Sequence, residues 1–350
     1  LQAANNFRVL ADNTLIGYGP MRSAHGYSLM HTYEIPQSAK RVVIEVAGYN
    51  IQSYYTVKEQ PFFKAEVTVD GIAAYTSTDF ITYRLDDRLQ KVQRYSYQRN
   101  FVESYAVEHD RSVLFSDTIP FPAVETVTIT GNASLESDLS YQSFRADAVE
   151  TVIEKGSVER RPGAYAWKDR STLDVGSHVQ VGGFKIPELC EVLSEEICSL
   201  HYERDDTINN DLLQESYNLY DLGSEKTGFF ALDVEVLSDA VIYITFDEII
   251  WEECRDQTIL QVFHDGAQPM VFHRMDTVNV VKYQIAAGRY RLLSFEPVSF
   301  RYVKLMALDG EVRVHDFKVV RYENDEVYRC RLTSDDHQLQ SIFEASAATL

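Results

Sequence analysis

"YNLYDLGSEKTGFFALDVEV", residues 217–236, decides how this chain is read. From Phe230 the pattern is strict: Phe230, Leu232, Val234 and Val236 share one face, and Ala231, Asp233 and Glu235 share the other. A period of two is the signature of a strand with one buried face. Gly223 and Gly228 precede it and read as brackets of a turn, since glycine accepts positive φ without strain. A partner strand follows in "AVIYITFDEII" (240–250), with Ile242, Ile244 and Phe246 on one face. "SFEPVSFRYVKLMAL" (294–308) and "EVRVHDFKVVRY" (311–322) continue the alternation. Strands separated by turn signals predict an antiparallel β-sandwich of jelly-roll type over residues 206–328.

The same signals recur upstream. "RVVIEVAGY" (41–49) alternates, with Val42, Ile44 and Val46 on one face and Val43, Glu45 and Ala47 on the other. "FFKAEVTVDGIAAYTS" (62–77) predicts a hairpin turning at Asp70-Gly71. "AVETVTITGNASL" (123–135) predicts a further strand and turn. Residues 1–115 thus read as a first antiparallel sandwich, and 116–205 as an irregular, partly β connecting region rich in Gly, Pro and charge. Inside that region "PELCEVLSEEICSL" (187–200) carries near-helical apolar spacing and predicts one internal helix. In "TSDDHQLQSIFEASAATL" (333–350), Ser334 suits an N-cap, and Asp335 and Asp336 suit the first helical turn. Leu339, Ile342, Phe343, Ala347 and Leu350 then form an apolar helical face. The fold class expected is therefore all-β, two antiparallel sandwiches plus one C-terminal helix.

Composition narrows the function classes. The 350 residues carry a net charge of −20, which opposes binding to a phosphate backbone, so nucleic acid is not an expected partner. No apolar run approaches the roughly 20 residues of a membrane span, so no membrane partner is expected. The opening "LQAANNFRVL" has neither the basic n-region nor the long h-region of a signal peptide. Cys190, Cys198, Cys254 and Cys330 form no C-x-x-C pair and read as free thiols, with a Cys190–Cys198 disulfide as the alternative in an oxidising compartment.

"YDLGSEKTGFFALDVEV", "ITFDEII", "DTVNVVKYQIAAGRY" and "FEPVSFRYVKLMAL", in this order and spacing, resemble the β-sandwich that precedes the catalytic barrel in bacterial α-L-rhamnosidases. The matching residues are Asp221, Gly223, Gly228, Phe229, Glu248, Phe300, Arg301, Tyr302 and Val303. "FRVLADNTLIGYGPMRSAHGY" (7–27) resembles that family's N-terminal sandwich, although Asp12-Asn13-Thr14 stands where the family usually has Asn-Gly. "EVAGYNIQSYYTVKEQPFFKAEVTVDG" and "QRNFVESYAVEHD" extend the likeness, and residues 333–350 resemble the first helix of the family's (α/α)6 barrel.

The resemblance implies an inverting glycoside hydrolase whose paired acid and base lie on the barrel. It implies that the barrel is missing in cis, that no catalytic residue lies among these residues, and that they are inactive alone. It also implies a rhamnose-containing glycan as partner of the parent enzyme. Two places could touch sugar. Glu248 lies in an acidic run beside Trp251, whose ring could stack on a pyranose; the competing reading is a solvated charged loop. Asp12, Asn13 and Arg22, with Tyr18 and His25 nearby, resemble the accessory sandwich that binds rhamnose with calcium in some rhamnosidases; a plain hairpin turn competes. Calcium is the one cofactor to consider, and no other metal is expected. A different class of protein, a self-contained non-catalytic carbohydrate-binding module, stays open on the sequence.

Overall fold

The computed structural model describes residues 1–24, 26–49, 60–90, 92, 101–130, 132–136, 142–161, 196–203, 211–212, 214–248, 279–324 and 331–349, with the backbone alone for 158–161, 196–203 and 348–349. The all-β expectation holds.

Ten of the described strands form one sheet, and Ser216–Val236 is its spine. The first part of this strand runs antiparallel between Val152–Arg161 and Val298–Asp309. Its second part runs antiparallel between Gly288–Leu293 and Val312–Arg321. Ala240–Asp247 continues the sheet beside Val298–Asp309, followed by Val280–Ile285. Glu103–Val107 then joins Val280–Ile285 in parallel. Inward side chains from these strands meet in one core, which includes Tyr220, Phe230, Ile244, Phe300, Leu305 and Phe317. Phe230 and Phe300 lie 4.6 Å apart between ring centroids.

The spine corrects one expectation. Phe230 does not start a strand after a turn; Ser216–Val236 is continuous, with a register shift between Asp221 and Lys226. Gly223 sits in that irregularity with φ of 76°. Gly228 serves a different need: a Cβ there would lie 2.4 Å from the carbonyl oxygen of Val320 on the neighbouring strand. One glycine permits a backbone shape, and the other permits a close approach.

A smaller antiparallel sheet holds Thr14–Gly19, Asn6–Ala11 and Val42–Ala47 in that order. It packs on the main sheet through Leu15 and Tyr18, which meet the fully buried Phe229. Tyr18 and Phe229 make an edge-to-face pair at 5.3 Å. The hairpin at Asp70-Gly71 forms as expected, joining Glu66–Val69 to Ile72–Thr76 with φ of 52° and 77° at the two turn residues. Phe62–Lys64 pairs separately with Gln2–Ala4.

Two other expectations change, and one strand shows a burial pattern that its alternation did not specify. Residues 124–130 form no strand and are largely exposed; Ala123 makes an isolated bridge to Tyr83, and Ala133–Glu136 pairs in parallel with Tyr27–Met30. Alternation alone is not enough there, because among the described residues no strand supplies a ladder of hydrogen bonds to 125–130. The described end of the 187–200 segment, Glu196–Glu203, is a strand paired with Val152–Arg161, so the main sheet overrides the helical spacing; 187–195 lie outside the described residues. In Val42–Ala47 the buried residue is Glu45, while Val46 is exposed.

The C-terminal helix runs His337–Thr349. Its N-cap is Asp336 rather than Ser334: the Asp336 carboxylate accepts from the backbone N–H of Gln338 at 2.9 Å and of Leu339 at 3.2 Å. Ser334 Oγ accepts from the Asp336 N–H, one step outside the helix. Leu339 and Ile342 on its apolar face are exposed. Among the described residues no helix is long and apolar enough to cross a membrane.

Candidate functional site

The sheet gathers the motif residues into one cross-strand row. Tyr302 on Val298–Asp309 is paired with Asp221 on one side and with Asp247 on the other. Arg301 grips Asp221 in a two-pronged contact, Nε to Oδ1 at 2.8 Å and Nη2 to Oδ2 at 2.9 Å. Its guanidinium also lies 4.9 Å from the Tyr302 ring centroid. The Gly223 N–H donates to Asp221 Oδ1 at 2.8 Å, so the irregular backbone after Asp221 closes onto its own side chain. Glu248 follows at the end of the next strand, exposed, with its N–H donating to Asp247 Oδ1 at 2.7 Å.

Electrostatics limits what this row can do. The Arg301 hydrogen bonds hold the Asp221 carboxyl below its ordinary value, against the opposing effect of partial burial. A general acid needs the reverse shift, so Asp221 is ionised at neutral pH and unsuited to protonating a leaving group. The row is a rigid polar edge: a fixed carboxylate–guanidinium fork, a tyrosine face and two further acids.

The N-terminal candidates lie elsewhere. Asp12 and Asn13 form the turn between Asn6–Ala11 and Thr14–Gly19, both with positive φ, 43° and 69°. Both Asp12 oxygens accept backbone N–H groups, from Arg41 and from Lys40, each at 2.9 Å. Those two bonds hold its carboxyl below the usual range. Arg22 is exposed beyond the far end of Thr14–Gly19, six residues of extended chain or roughly 20 Å from the turn. Tyr18 is buried in the contact with Phe229. Glu248 belongs to the other sheet; Trp251, His25, His264, His273, Cys190, Cys254 and Cys330 lie outside the described residues, as does the side chain of Cys198. Among the described residues no group of three or more His, Cys, Asp or Glu could hold a metal ion.

One arrangement was not anticipated from the sequence. Arg8 is buried between the two sheets, donating to Glu45 at 3.0 Å and to the carbonyls of Leu293 at 3.1 Å and Ser294 at 2.9 Å. Its guanidinium lies 5.1 Å from the Phe295 ring centroid. Arg88 also approaches the same ring at 5.1 Å. The available signal was a charged residue inside each of two apolar strands, Arg8 in "FRVLA" and Glu45 in "VVIEVA". Buried charges come in pairs, so each called for the other.

Comparison with known proteins adds a shared fold. No protein-family model matches the sequence, and no curated protein matches it. Among solved structures, the GH78 family rhamnosidase of Bacillus sp. GL1 superposes with a TM-score of 0.71 over 99% of this chain, at 11% identity. The fold is shared with a rhamnosidase. This chain spans 54% of the length of that enzyme. An α-L-rhamnosidase from Dictyoglumus thermophilum aligns over 92% of this chain and 30% of its own, at 11% identity and a TM-score of 0.49. In the superposition over 99% of this chain, the shared fold takes in both described sheets and the described terminal helix.

Proposed function

We propose that this chain is the N-terminal accessory region of an α-L-rhamnosidase-like glycoside hydrolase. One observation carries the reading: its whole fold follows part of a GH78 rhamnosidase while accounting for 54% of that enzyme's length. The motif residues support it physically, because Asp221, Gly223, Arg301 and Tyr302 form one locked edge. In this proposal the blocks 1–115 and 206–328, linked through 116–205, buttress a catalytic barrel that opens with His337–Thr349. The exposed Leu339 and Ile342 suit packing against further barrel helices. The paired acid and base reside on that barrel. The Asp221 row with Glu248 lines the rim of the sugar pocket, and the Asp12–Asn13 turn and Arg22 are the places to look for accessory sugar contacts. The substrate class is a rhamnose-containing glycoside.

The test is calorimetric titration of the 350-residue chain with L-rhamnose, with and without calcium, beside a chromogenic rhamnoside assay on the same sample. No turnover is the expected result. Saturable rhamnose binding assigns these residues a lectin role besides buttressing. Turnover above background sinks the accessory reading, since it requires an acid and base within these residues.

A further inference from the structure

The two sheets meet over a group of arginines that the rhamnosidase-like reading does not use. Arg8 comes from Asn6–Ala11 and Arg111 from the 3-10 turn Arg111–Phe115. Arg88 bridges Tyr105 on Glu103–Val107 through its backbone. Arg8 and Arg88 each lie 5.1 Å from the Phe295 ring centroid. Tyr105 in turn stacks on Tyr283 of Val280–Ile285, with 5.2 Å between centroids. All three guanidiniums act on Glu45 and on the Tyr283 hydroxyl, so their charged ends share one small volume with that phenol.

Each guanidinium is only partly used. Arg8 gives Nη2 to Glu45 and Nη1 to the carbonyls of Leu293 and Ser294. Arg88 gives Nη2 to the Tyr49 hydroxyl at 2.7 Å and to Glu296 at 3.4 Å. Arg111 gives Nη2 to Asp87 at 2.9 Å. Left over are Arg8 Nε, Arg88 Nη1, Arg111 Nη1 and the Tyr283 hydroxyl, all shielded from solvent and all without a hydrogen-bond partner among the described residues. The three nitrogens can only donate, and the phenol can donate too. A buried donor without an acceptor has forfeited its hydration, and native proteins rarely leave several together. The acids nearby already have donors of their own. Glu45, Asp87 and Glu296 have the arginines, and Glu103 accepts the N–H groups of Phe295 and Glu296 and the Tyr105 hydroxyl.

We propose that these four donors hold a small monovalent anion, of chloride size, between the two sheets. A water oxygen has lone pairs for about two donors, so a single water leaves half of the set unmet. A halide accepts from all of them at once. The neighbouring carboxylates set the charge class: repulsion in a poorly screened interior grows with the charge of the ligand, which disfavours sulfate or phosphate. Arg8 belongs to the small sheet and Tyr283 to the main one, so the anion ties the two together. Unfolding scatters the donors, and the anion therefore binds the folded chain alone.

The test compares urea midpoints of the full chain in sodium chloride and in sodium gluconate, a bulky monovalent anion, at equal ionic strength. Wild type is run beside Tyr283→Phe, which removes one of the orphaned donors and nothing else. The expected result is a wild-type midpoint that rises with chloride and levels off, with no such saturation in gluconate. Tyr283→Phe should raise the chloride concentration of half effect about tenfold. Equal midpoints in the two salts, an effect that does not saturate, or one that Tyr283→Phe leaves unchanged each overturn the proposal and leave the donors to water. If Tyr283→Phe does not fold, crystals of the wild-type chain grown in bromide decide. An anomalous scattering peak among Arg8, Arg88, Arg111 and Tyr283 supports the site, and the lack of one refutes it.

Discussion

Replacing Arg8 by Met keeps the length of the side chain and removes its charge and its donors. Arg8 is 2% exposed and Glu45 7% exposed, so the loss falls where water cannot substitute. Burial drives the Glu45 carboxyl upward, and Arg8, Arg111 and Arg88 together more than reverse that, leaving it below its ordinary value. Breaking a buried pair from one side costs about 3–5 kcal/mol, because the remaining charge stays desolvated. Arg111 and Arg88 still face Glu45, which places the expected cost at the low end, about 3 kcal/mol. The carbonyls of Leu293 and Ser294 lose a shared donor as well. Removing both charges in Arg8→Met/Glu45→Leu relieves the stranded carboxylate. The double variant is therefore expected to recover about 2 kcal/mol relative to the sum of the single variants. Urea unfolding at pH 7 with circular dichroism measures all four members of the cycle. The acid limb adds a second reading. In wild type, the Glu45 contribution is present above the ordinary glutamate pKa and disappears as pH falls through its lower folded value; in Arg8→Met that slope weakens or inverts. A cost under about 1 kcal/mol for Arg8→Met, or strict additivity in the cycle, would refute the view that this pair ties the small sheet to the main one.

The two glycines of the spine should part company. Gly228→Ala forces a Cβ against the Val320 carbonyl and is expected to cost about 1–3 kcal/mol, whereas Gly223→Ala meets open space and bears only the positive-φ penalty of about 1 kcal/mol; thermal melts compare them. His31 is buried, with its Nε2 accepting the Met21 N–H at 3.1 Å, and burial depresses its pKa to about 4. Its neutral form is the folded one, so stability should fall as pH drops from the ordinary histidine value towards 4, and His31→Gln should flatten that slope in a pH series of urea midpoints. Asp336→Ala removes the cap of the terminal helix and should cost it about 1 kcal/mol locally, seen as faster amide exchange at Gln338 and Leu339.

What the sequence made legible was local. The Asp70-Gly71 hairpin could be read because its two positive-φ positions make demands that two adjacent residues answer. The strict alternation from Phe230 to Val236 could be read because one face is fully in the core. The misreadings came from partners distant in the chain. Glu196–Glu203 has helical spacing but lies beside Val152–Arg161, and sheet pairing wins. Residues 124–130 alternate, yet among the described residues no strand pairs along them. Nothing local marked Glu45 as the buried residue of its strand, because its counter-charge sits on a strand 37 positions earlier. At the candidate site, the words "YDLG" and "FRYV" were visible, but the bidentate grip of Arg301 on Asp221 spans 80 positions and appears only in three dimensions.

The irregular stretch Leu222–Glu225 also marks where the chain can be opened. Each half of Ser216–Val236 has a neighbour on both sides, and Gly223, Ser224 and Glu225 are exposed between them. A nick at Ser224 leaves both ladders intact, so new chain ends can be introduced there while the sheet keeps its order. The spine is one ribbon by sequence and two ribbons by hydrogen bonding, with Val298–Asp309 pairing with residues on both sides of the irregularity.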